Sequence, residues 1–376
     1  MKVLLIFIDS WPTNGGGHTF SSALKEQIRR QPSLLNTYLI LERDPDGGWR
    51  LDGISTAKEI NLTIKELFDS RFYDFIFYCD STPLHTPLSS IPYGCVVWDV
   101  GHRDYPELNE VSRARHDEFG RRESALSGLG SASLVLVGSD ILKHKLSCYY
   151  GLDIEKVIVN KLPLTLTHED ILHAGALSTQ RRISTALIDN PNIIYPAMLW
   201  DHKNHTVVLE AVKCLQLMSV SINPTIFLTG ADKGAGSAKI KGQIFCLGLA
   251  ESVKICGFLP RHELHRLMMQ SDILVYPSIL GPDNLPPLEA MAMGLPTVHS
   301  DSPWAQDQLG SNVLYFDPFS PYKLAESIIR LCLDASDRIK LILGGLDCAG
   351  NRTVDRYVSL LDTSLFRVSR IIALNS

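Results

Sequence analysis

The sequence has no CxxC pair, no surplus of positive charge, no apolar run of membrane-spanning length and no repeat at a fixed period. Each absence removes a class of function. The eight cysteines (Cys79, Cys95, Cys148, Cys214, Cys246, Cys256, Cys332 and Cys348) are scattered, mostly inside apolar runs such as "FIFYC" and "GCVVW". Thiols so placed read as small buried hydrophobes in a reducing compartment, not as disulfide partners or zinc ligands. Lys and Arg number 36 against 41 Asp and Glu, a formal net charge of -5. That balance excludes a general nucleic-acid binder, because polyanion binding rests on clustered cations that release counterions. Arg113, Arg115, Arg121 and Arg122 make one local basic patch. A solvated helix face is its plainer reading, and contact with a phosphate or an anionic membrane surface is the other. The apolar run at residues 3–8 is followed at once by Asp9. It is too short for a signal core or a membrane span and reads as a buried parallel strand. A soluble, cytoplasmic protein is expected.

What is present is globular. At 376 residues, 45% hydrophobic and 20% charged, the chain exceeds one ordinary core, and two domains are the default. Short β-branched runs alternate with amphipathic segments: "KVLLIFI", "LNTYLILE", "YDFIFYC", "CVVWDV" and "ASLVLVGS" first, then "NIIYPAM", "TIFLTG", "VKICGF", "DILVYPS", "PTVHS" and "VLYFDP". This alternation predicts an α/β protein with two Rossmann-like, doubly wound parallel sheets facing each other across a cleft. The polar stretch at 161–192 marks the boundary, giving domains at 1–180 and 181–350. Residues 351–376 read as a C-terminal helix able to cross back onto the first domain. In such sheets ligands bind beyond the carboxyl ends of the strands, so the loops there carry the chemistry.

Six stretches stand out. "PTNGGGHTF" follows the first strand, and Gly15, Gly16 and Gly17 let backbone amides approach a bound group at the start of a helix. Phe20 stands where a dinucleotide fingerprint needs a small residue, so a nicotinamide site is disfavoured and a ligand-facing loop or a tight turn remains. "WDVGHRDYPELNE" puts His102 at a strand end among Asp99, Arg103, Asp104 and Glu107. It is either a functional imidazole or a structural one. Ser139 in "GSD" reads as a helix cap. "MLWDHKNH" brings His202, Lys203 and Asn204 to a helix start, where a cation opposes the dipole unless an anion lies between them. An exposed lysine on a surface turn is the alternative. "DPD" at 44–46, a D-x-D pattern that could suggest a metal site, sits among turn formers and reads as a turn. Last, "GPDNLPPLEAMAMGLP" at 281–296 starts a helix near Pro286 or Pro287. Amides of Asn284 and Leu285 would offer an anion site, and Glu289 a carboxylate suited to a ribose diol.

With these motifs in view, the chain resembles the retaining glycosyltransferases of the GT-B fold, in the large family 4 known as glycosyl transferases group 1. The resemblance runs through "HKN", "FLTG", "GFLPRHELHRLMMQSDILVYPS" and "LPPLEAMAMGLPTVHSD", and more weakly through the glycine loop, "WDVGHRDYPE" and "VGSD". It implies a nucleotide-diphosphate sugar as donor, held mainly by the C-terminal domain, and a glycan or lipid-linked glycan as acceptor. By the same resemblance His102 and Lys203 would be catalytic, the lysine neutralising the leaving diphosphate with His202 beside it. Glu289 would bind the ribose, and Asp283, Asn284 and Leu285 the diphosphate and sugar. Gly257, Phe258 and Leu259 would meet the base, and Gly16 and Gly17 a phosphate or the acceptor. No metal and no cofactor are expected, and a peripheral contact with the cytoplasmic face of the membrane is. Two positions depart from the family. Gly281 stands where a first glutamate is common, and Ala197 near an expected arginine. The implied activity is transfer of mannose or a deoxyhexose in cell-surface polysaccharide synthesis. A non-catalytic sugar-nucleotide-binding subunit and an epimerase of the same fold are the rivals.

Overall fold

The structure, a computed structural model, describes residues 1–7, 16–43, 49–53, 73–79, 91–108, 111, 118–166, 182–184, 186–218, 220–232 and 236–375. The chain forms two compact units: Met1–Glu107 with Val111–Thr165 and Arg352–Ser376, and Leu108–Glu110 with Leu166–Asn351. The passage from the first to the second therefore falls at Thr165, ahead of residue 180.

The first unit runs β1 (Lys2–Phe7), α1 (Gly16–Arg30), β2 (Thr37–Arg43), β3 (Trp49–Gly53), β4 (Phe75–Tyr78), β5 (Tyr93–Val97), α2 (Gly101–Asp104), α3 (Glu118–Leu126), β6 (Leu134–Val137), α4 (Asp140–Tyr150) and β7 (Val157–Val159). Its seven strands lie in the order β3-β2-β1-β4-β5-β6-β7. All pairs are parallel except β2 with β3, where Arg43 faces Trp49 across an antiparallel ladder. Leu4 and Leu5 of β1 are fully buried, as expected of a central strand covered on both faces.

The second unit runs β8 (Asn192–Pro196), α5 (His205–Leu217), β9 (Thr225–Thr229), α6 (Gly236–Leu247), β10 (Val253–Gly257), α7 (Arg261–Gln270), β11 (Ile273–Tyr276), α8 (Leu285–Ala292), β12 (Thr297–Ser300), α9 (Pro303–Leu309), β13 (Leu314–Phe316), α10 (Pro321–Leu333) and α11 (Ala335–Gly350). Its six strands are all parallel, in the order β10-β9-β8-β11-β12-β13. The strand order reverses beside β8, between β9 and β11, which is the switch point where doubly wound sheets bind ligands. Helix starts are set locally: Ser302 and Ser320 cap α9 and α10, each followed by proline at the first helical position.

Helix α12 (Val354–Asn375) belongs to the first unit. Its Asp362 Oδ1 accepts from Ser33 Oγ at 2.5 Å, Asn36 Nδ2 at 2.8 Å and the Tyr38 hydroxyl at 2.7 Å. Burial, with the Asp362 carboxylate beside it, pushes the Tyr38 hydroxyl pKa far up, so the phenol stays protonated and keeps donating.

Two doubly wound α/β sheets, as read from the sequence, are borne out, with β3 and β7 added to the first. Both are short edge strands, and neither has the apolar length that marked the others.

Candidate functional site

In the second unit, backbone geometry places the "DHKN" segment beyond β8. Residues Asp201–Lys203 form one 3-10 turn, and Asn204 adopts a left-handed φ of 53° before α5 begins. That conformation suits asparagine, and the Asn204 amide secures it by donating to Pro318 O at 2.7 Å. The Lys203 carbonyl accepts from the Tyr195 hydroxyl, and Ile279 N donates to the His202 carbonyl at 2.9 Å. The turn is thereby fixed from β8 and from the chain beyond β11. His202 is buried, and its ring lies 5.4 Å from that of Trp200.

The Lys203 side chain is fixed as well. Its Nζ lies 3.3 Å from Ser278 Oγ and 3.3 Å from Asn284 Oδ1, and 5.5 Å from the centre of the Tyr276 ring. A surface lysine would have none of these partners. Asn284 is held from every side. Its Nδ2 donates to Gly281 O at 2.7 Å, and its Oδ1 accepts from the Tyr276 hydroxyl at 2.9 Å. Its backbone N donates to Gln308 Oε1 at 3.3 Å while its carbonyl accepts from Gln308 Nε2 at 2.9 Å.

This corrects one expectation about the start of α8. The Asn284 amide is taken by Gln308, and Pro286 and Pro287 have no N–H. Of residues 284–287, Leu285 is thus the one whose backbone N–H is neither absent nor taken up by Gln308. Asp283 is half-buried immediately before this helix start.

Two buried histidines back the lysine. His205 packs against Tyr195 with ring centres 4.6 Å apart, and His299 against Tyr276 at 5.3 Å. Burial, with the Lys203 charge adding to it, pushes the His205 pKa down to about 3. Burial likewise pushes His299 down to about 4, against a hydrogen bond with the Ser300 carbonyl and with Lys203 again lowering it. Both imidazoles are neutral at pH 7, so neither adds a buried positive charge beside Lys203.

Glu289, on α8, is buried, with Arg261 Nη2 at 3.5 Å and His265 Nε2 at 3.7 Å from Oε1. Both partners lie on α7, which follows Gly257, Phe258 and Leu259. Gly257 ends β10 with a φ of 68°, and Phe258 is 58% exposed there. Of the departures from the family, Ala197 is buried beyond β8, and Gly281 has a φ of 123°.

In the first unit Gly16 and Gly17 open α1, and a side-chain carbon at Gly17 would meet no atom within 4 Å. His102 is buried in α2, with Nε2 2.6 Å from Glu123 Oε1. Ser139 caps α4 by accepting from Leu142 N at 3.1 Å. Arg121 and Arg122 of the basic patch pair with Glu118 at 2.6 and 3.0 Å, and Arg122 also with Asp99 at 3.1 Å. These two arginines of the patch are thereby paired with carboxylates. "DPD", Gly15, Arg113 and Arg115 lie outside the described residues. Among the described residues no group of three or more His, Cys, Asp or Glu is arranged to hold a metal, and no helix is long and apolar enough to cross a membrane.

Sequence reasoning missed Tyr276, Ser278, Gln308 and Glu123. The first three follow or lie within ordinary-looking apolar and polar stretches, and only the spatial convergence on Lys203 and Asn284 gives them meaning. Glu123 is one of three glutamates or arginines in "GRRE", which read as a solvated helix face.

Known proteins resemble this chain over part of its length or in its fold. The amylovoran biosynthesis glycosyltransferase AmsK of Erwinia amylovora is 27% identical over 56% of this chain and 50% of its own length. The O-antigen chain mannosyltransferase B of Escherichia coli is 24% identical over 64% of this chain and 61% of its own. The chain thus spans about half to three-fifths of the length of these curated relatives. Among solved structures, Anabaena HepE in complex with UDP and glucose superposes with a TM-score of 0.69 at 16% identity, covering 97% of this chain and 99% of that one. The two-unit α/β fold is that of the GT-B glycosyltransferases. Residues 178–343, which hold Lys203, Asn284 and Glu289, match the model of the family described as glycosyl transferases group 1.

Proposed function

We propose that this chain is a retaining glycosyltransferase that moves a hexosyl group, mannose or a deoxyhexose, from a nucleotide-diphosphate sugar to a glycan or lipid-linked glycan in cell-surface polysaccharide synthesis. The observation that carries the reading is the Lys203 ammonium, held by Ser278 and Asn284 beside the start of α8 at the carboxyl ends of β8 and β11. Breaking the sugar–phosphate bond builds negative charge on the departing diphosphate, and a pre-positioned cation stabilises that charge without reorganising. Glu289 takes the ribose diol, its carboxylate steadied by Arg261 and His265. The relatives named for O-antigen and amylovoran synthesis support the polysaccharide setting, and the HepE complex with UDP and glucose supports the class of donor. Retention of configuration follows from front-face attack, in which the leaving phosphate accepts the proton of the incoming hydroxyl. No divalent metal takes part, since Lys203 and the Leu285 amide meet the diphosphate. A lipid-linked acceptor brings the protein to the cytoplasmic face of the membrane.

The test is a panel of UDP-, GDP- and dTDP-sugars incubated with the purified chain. Thermal shift reports binding, and release of nucleoside diphosphate reports turnover, with and without excess chelator. Expected are a shift with one nucleotide, transfer to a polysaccharide-derived acceptor that survives chelation, and a product with the donor's anomeric configuration. Binding without turnover on any acceptor points to a non-catalytic subunit, and conversion of the donor alone to an epimerase. No shift with any nucleoside diphosphate rejects the reading.

A further inference from the structure

Helix α12 has two unlike faces. Tyr357, Leu361, Leu365 and Val368 recur at helical spacing and are all buried, so they form the side packed on the first unit. The other side exposes Leu360, Phe366, Ile371 and Leu374, the last of them by 85%. Arg356, Arg367 and Arg370 are exposed among these side chains. From Arg356 to Leu374 the helix has a single carboxylate, Asp362, which is buried and held by Ser33, Asn36 and Tyr38. Among the described residues neither Arg367 nor Arg370 makes an ion pair. The outward face therefore carries positive charge and apolar surface together, in a chain whose net charge is -5.

The loop leaving α1 is fastened to the same helix. Ser33 Oγ accepts from the amides of Leu35 and Asn36, both at 2.9 Å, and donates to Asp362 Oδ1. That anchor lies one helical turn before Phe366. Between its two ends the loop presents Leu34 fully exposed, with Leu35 exposed beside it. A single exposed leucine needs no explanation, but six large apolar side chains on one helix and the loop tied to it mark a contact surface.

The arginines decide what the surface contacts. A second copy of the chain across a two-fold axis would set the patch against itself and bring like charges together. A polyanion without an apolar part would leave Phe366, Ile371 and Leu374 in water. An anionic bilayer meets both needs, since apolar side chains enter the head-group layer while guanidinium groups stay at the phosphates. The basic patch on α3 offers no such pair of features, because its Arg121 and Arg122 are engaged by Glu118 and Asp99.

We propose that the outward face of α12, with the Leu34 tip beside it, docks the first unit on an anionic phospholipid surface. Arg367 and Arg370 meet the head-group phosphates, and Phe366, Ile371 and Leu374 enter the interfacial layer. That the docking serves a lipid-linked acceptor rests on the glycosyl-transfer reading, whereas the docking itself does not.

The test is co-sedimentation of the full chain with vesicles of phosphatidylcholine alone and of phosphatidylcholine mixed with phosphatidylglycerol. The wild type should bind the mixed vesicles, bind the neutral ones far less, and be released as salt is raised. Arg367→Gln with Arg370→Gln should weaken the partition about thirtyfold, and Leu374→Ser about tenfold. Arg121→Gln with Arg122→Gln should leave it unchanged. If the double α12 variant does not fold, Leu374→Ser decides alone, since that side chain packs against little in the fold. No binding, equal binding to both vesicles, insensitivity to salt, or α12 variants that partition like wild type each overturn the proposal. A wild type that dimerises through this face, with Leu374→Ser monomeric in sedimentation, overturns it in favour of a second copy. The vesicles hold neither donor nor acceptor, so the readout is independent of turnover. A chain that binds the mixed vesicles but shifts with no nucleoside diphosphate rejects the glycosyl-transfer reading and leaves this one standing. A nucleotide shift without vesicle binding does the reverse.

Discussion

A glutamate at position 281 would have to adopt a φ of 123°, with its Cβ 3.1 Å from Asn284 Oδ1 and 3.2 Å from Asn284 Nδ2. Glycine alone takes that conformation without strain, and another residue there costs about 1–3 kcal/mol. What reads in sequence as a lost acidic contact is, in the fold, a turn that lets the Gly281 carbonyl hold the Asn284 amide. Gly281→Glu should therefore weaken nucleotide-sugar binding and lower Tm, and thermal shift with and without ligand measures both. An unchanged Tm with improved affinity would mean that the loop reshapes around an acid. Lys203 is a different case, because its ammonium position is set by three neighbours and not by its own backbone alone. Its value should appear in the transition state more than in the ground state. Lys203→Ala should lower kcat by about a hundredfold or more, with a smaller change in donor KM. A change confined to KM would show uniform binding instead. Glu289→Ala should weaken the free nucleoside diphosphate as well as the sugar nucleotide by about 2 kcal/mol, since both carry the ribose. Calorimetric titration with the diphosphate alone decides it.

Two fully buried arginines organise the elements of the second unit, and no charged partner for them could be foreseen in the sequence. Arg182 donates to the carbonyls of Met268, Met269, Ser271 and Met293, at 3.0, 2.6, 3.0 and 2.9 Å. These are the C-terminal ends of α7 and α8, where a cation both satisfies orphan carbonyls and meets the negative pole of the helix. Arg338 of α11 holds the Arg182 carbonyl at 2.9 Å, Ser184 O at 2.7 Å, Ala186 O at 3.1 Å and Leu331 O, at the end of α10, at 2.6 Å. The segment entering the unit is thus tied to three helix ends by main-chain acceptors. Arg338→Met keeps most of the volume but strands those carbonyls, and should lower stability by about 3 kcal/mol or more. A urea midpoint within error of wild type would show that water replaces the guanidinium. Elements whose cause is local were legible: apolar runs gave eleven of the strands that the structure contains, and Ser139 gave a cap. The arginine anchors were not, because a carbonyl acceptor leaves no mark on residue type. The same reason hides Gln308, whose partner is the Asn284 main chain.

At the scale of the whole molecule, the sequence made legible which side chains stand beyond strand ends, as for Lys203 after β8 and Asn284 after β11. It was not legible where the need is for neutral bulk around a charge. His205 and His299 belong to this second kind, and they carry a consequence for acid stability. Their folded pKa values, pushed down by burial to about 3 and about 4, lie below the unfolded value near 6.5. Between those limits the unfolded chain binds more protons than the folded one, so stability rises with pH in that window and is lost as pH falls below about 6.5. Two such groups give a slope of up to about 2.7 kcal/mol per pH unit between roughly pH 6 and pH 4. Glu123 adds to the loss only lower down. Its folded pKa, about 2 because Arg103 pairs with it, makes its contribution fade from about pH 4.3 to about pH 2. Acid should therefore weaken the histidine-bearing second unit first and the first unit later. Urea unfolding at a series of pH values tests the order. His299→Gln, which cannot take up a proton on unfolding, should flatten the upper part of the curve by about one proton, while Glu123→Gln should leave that part unchanged and alter it only below about pH 4.3. A His299→Gln curve parallel to wild type between pH 6.5 and pH 4 would mean that His299 titrates in the folded protein as it does in water, and that the pocket behind Lys203 is open to solvent.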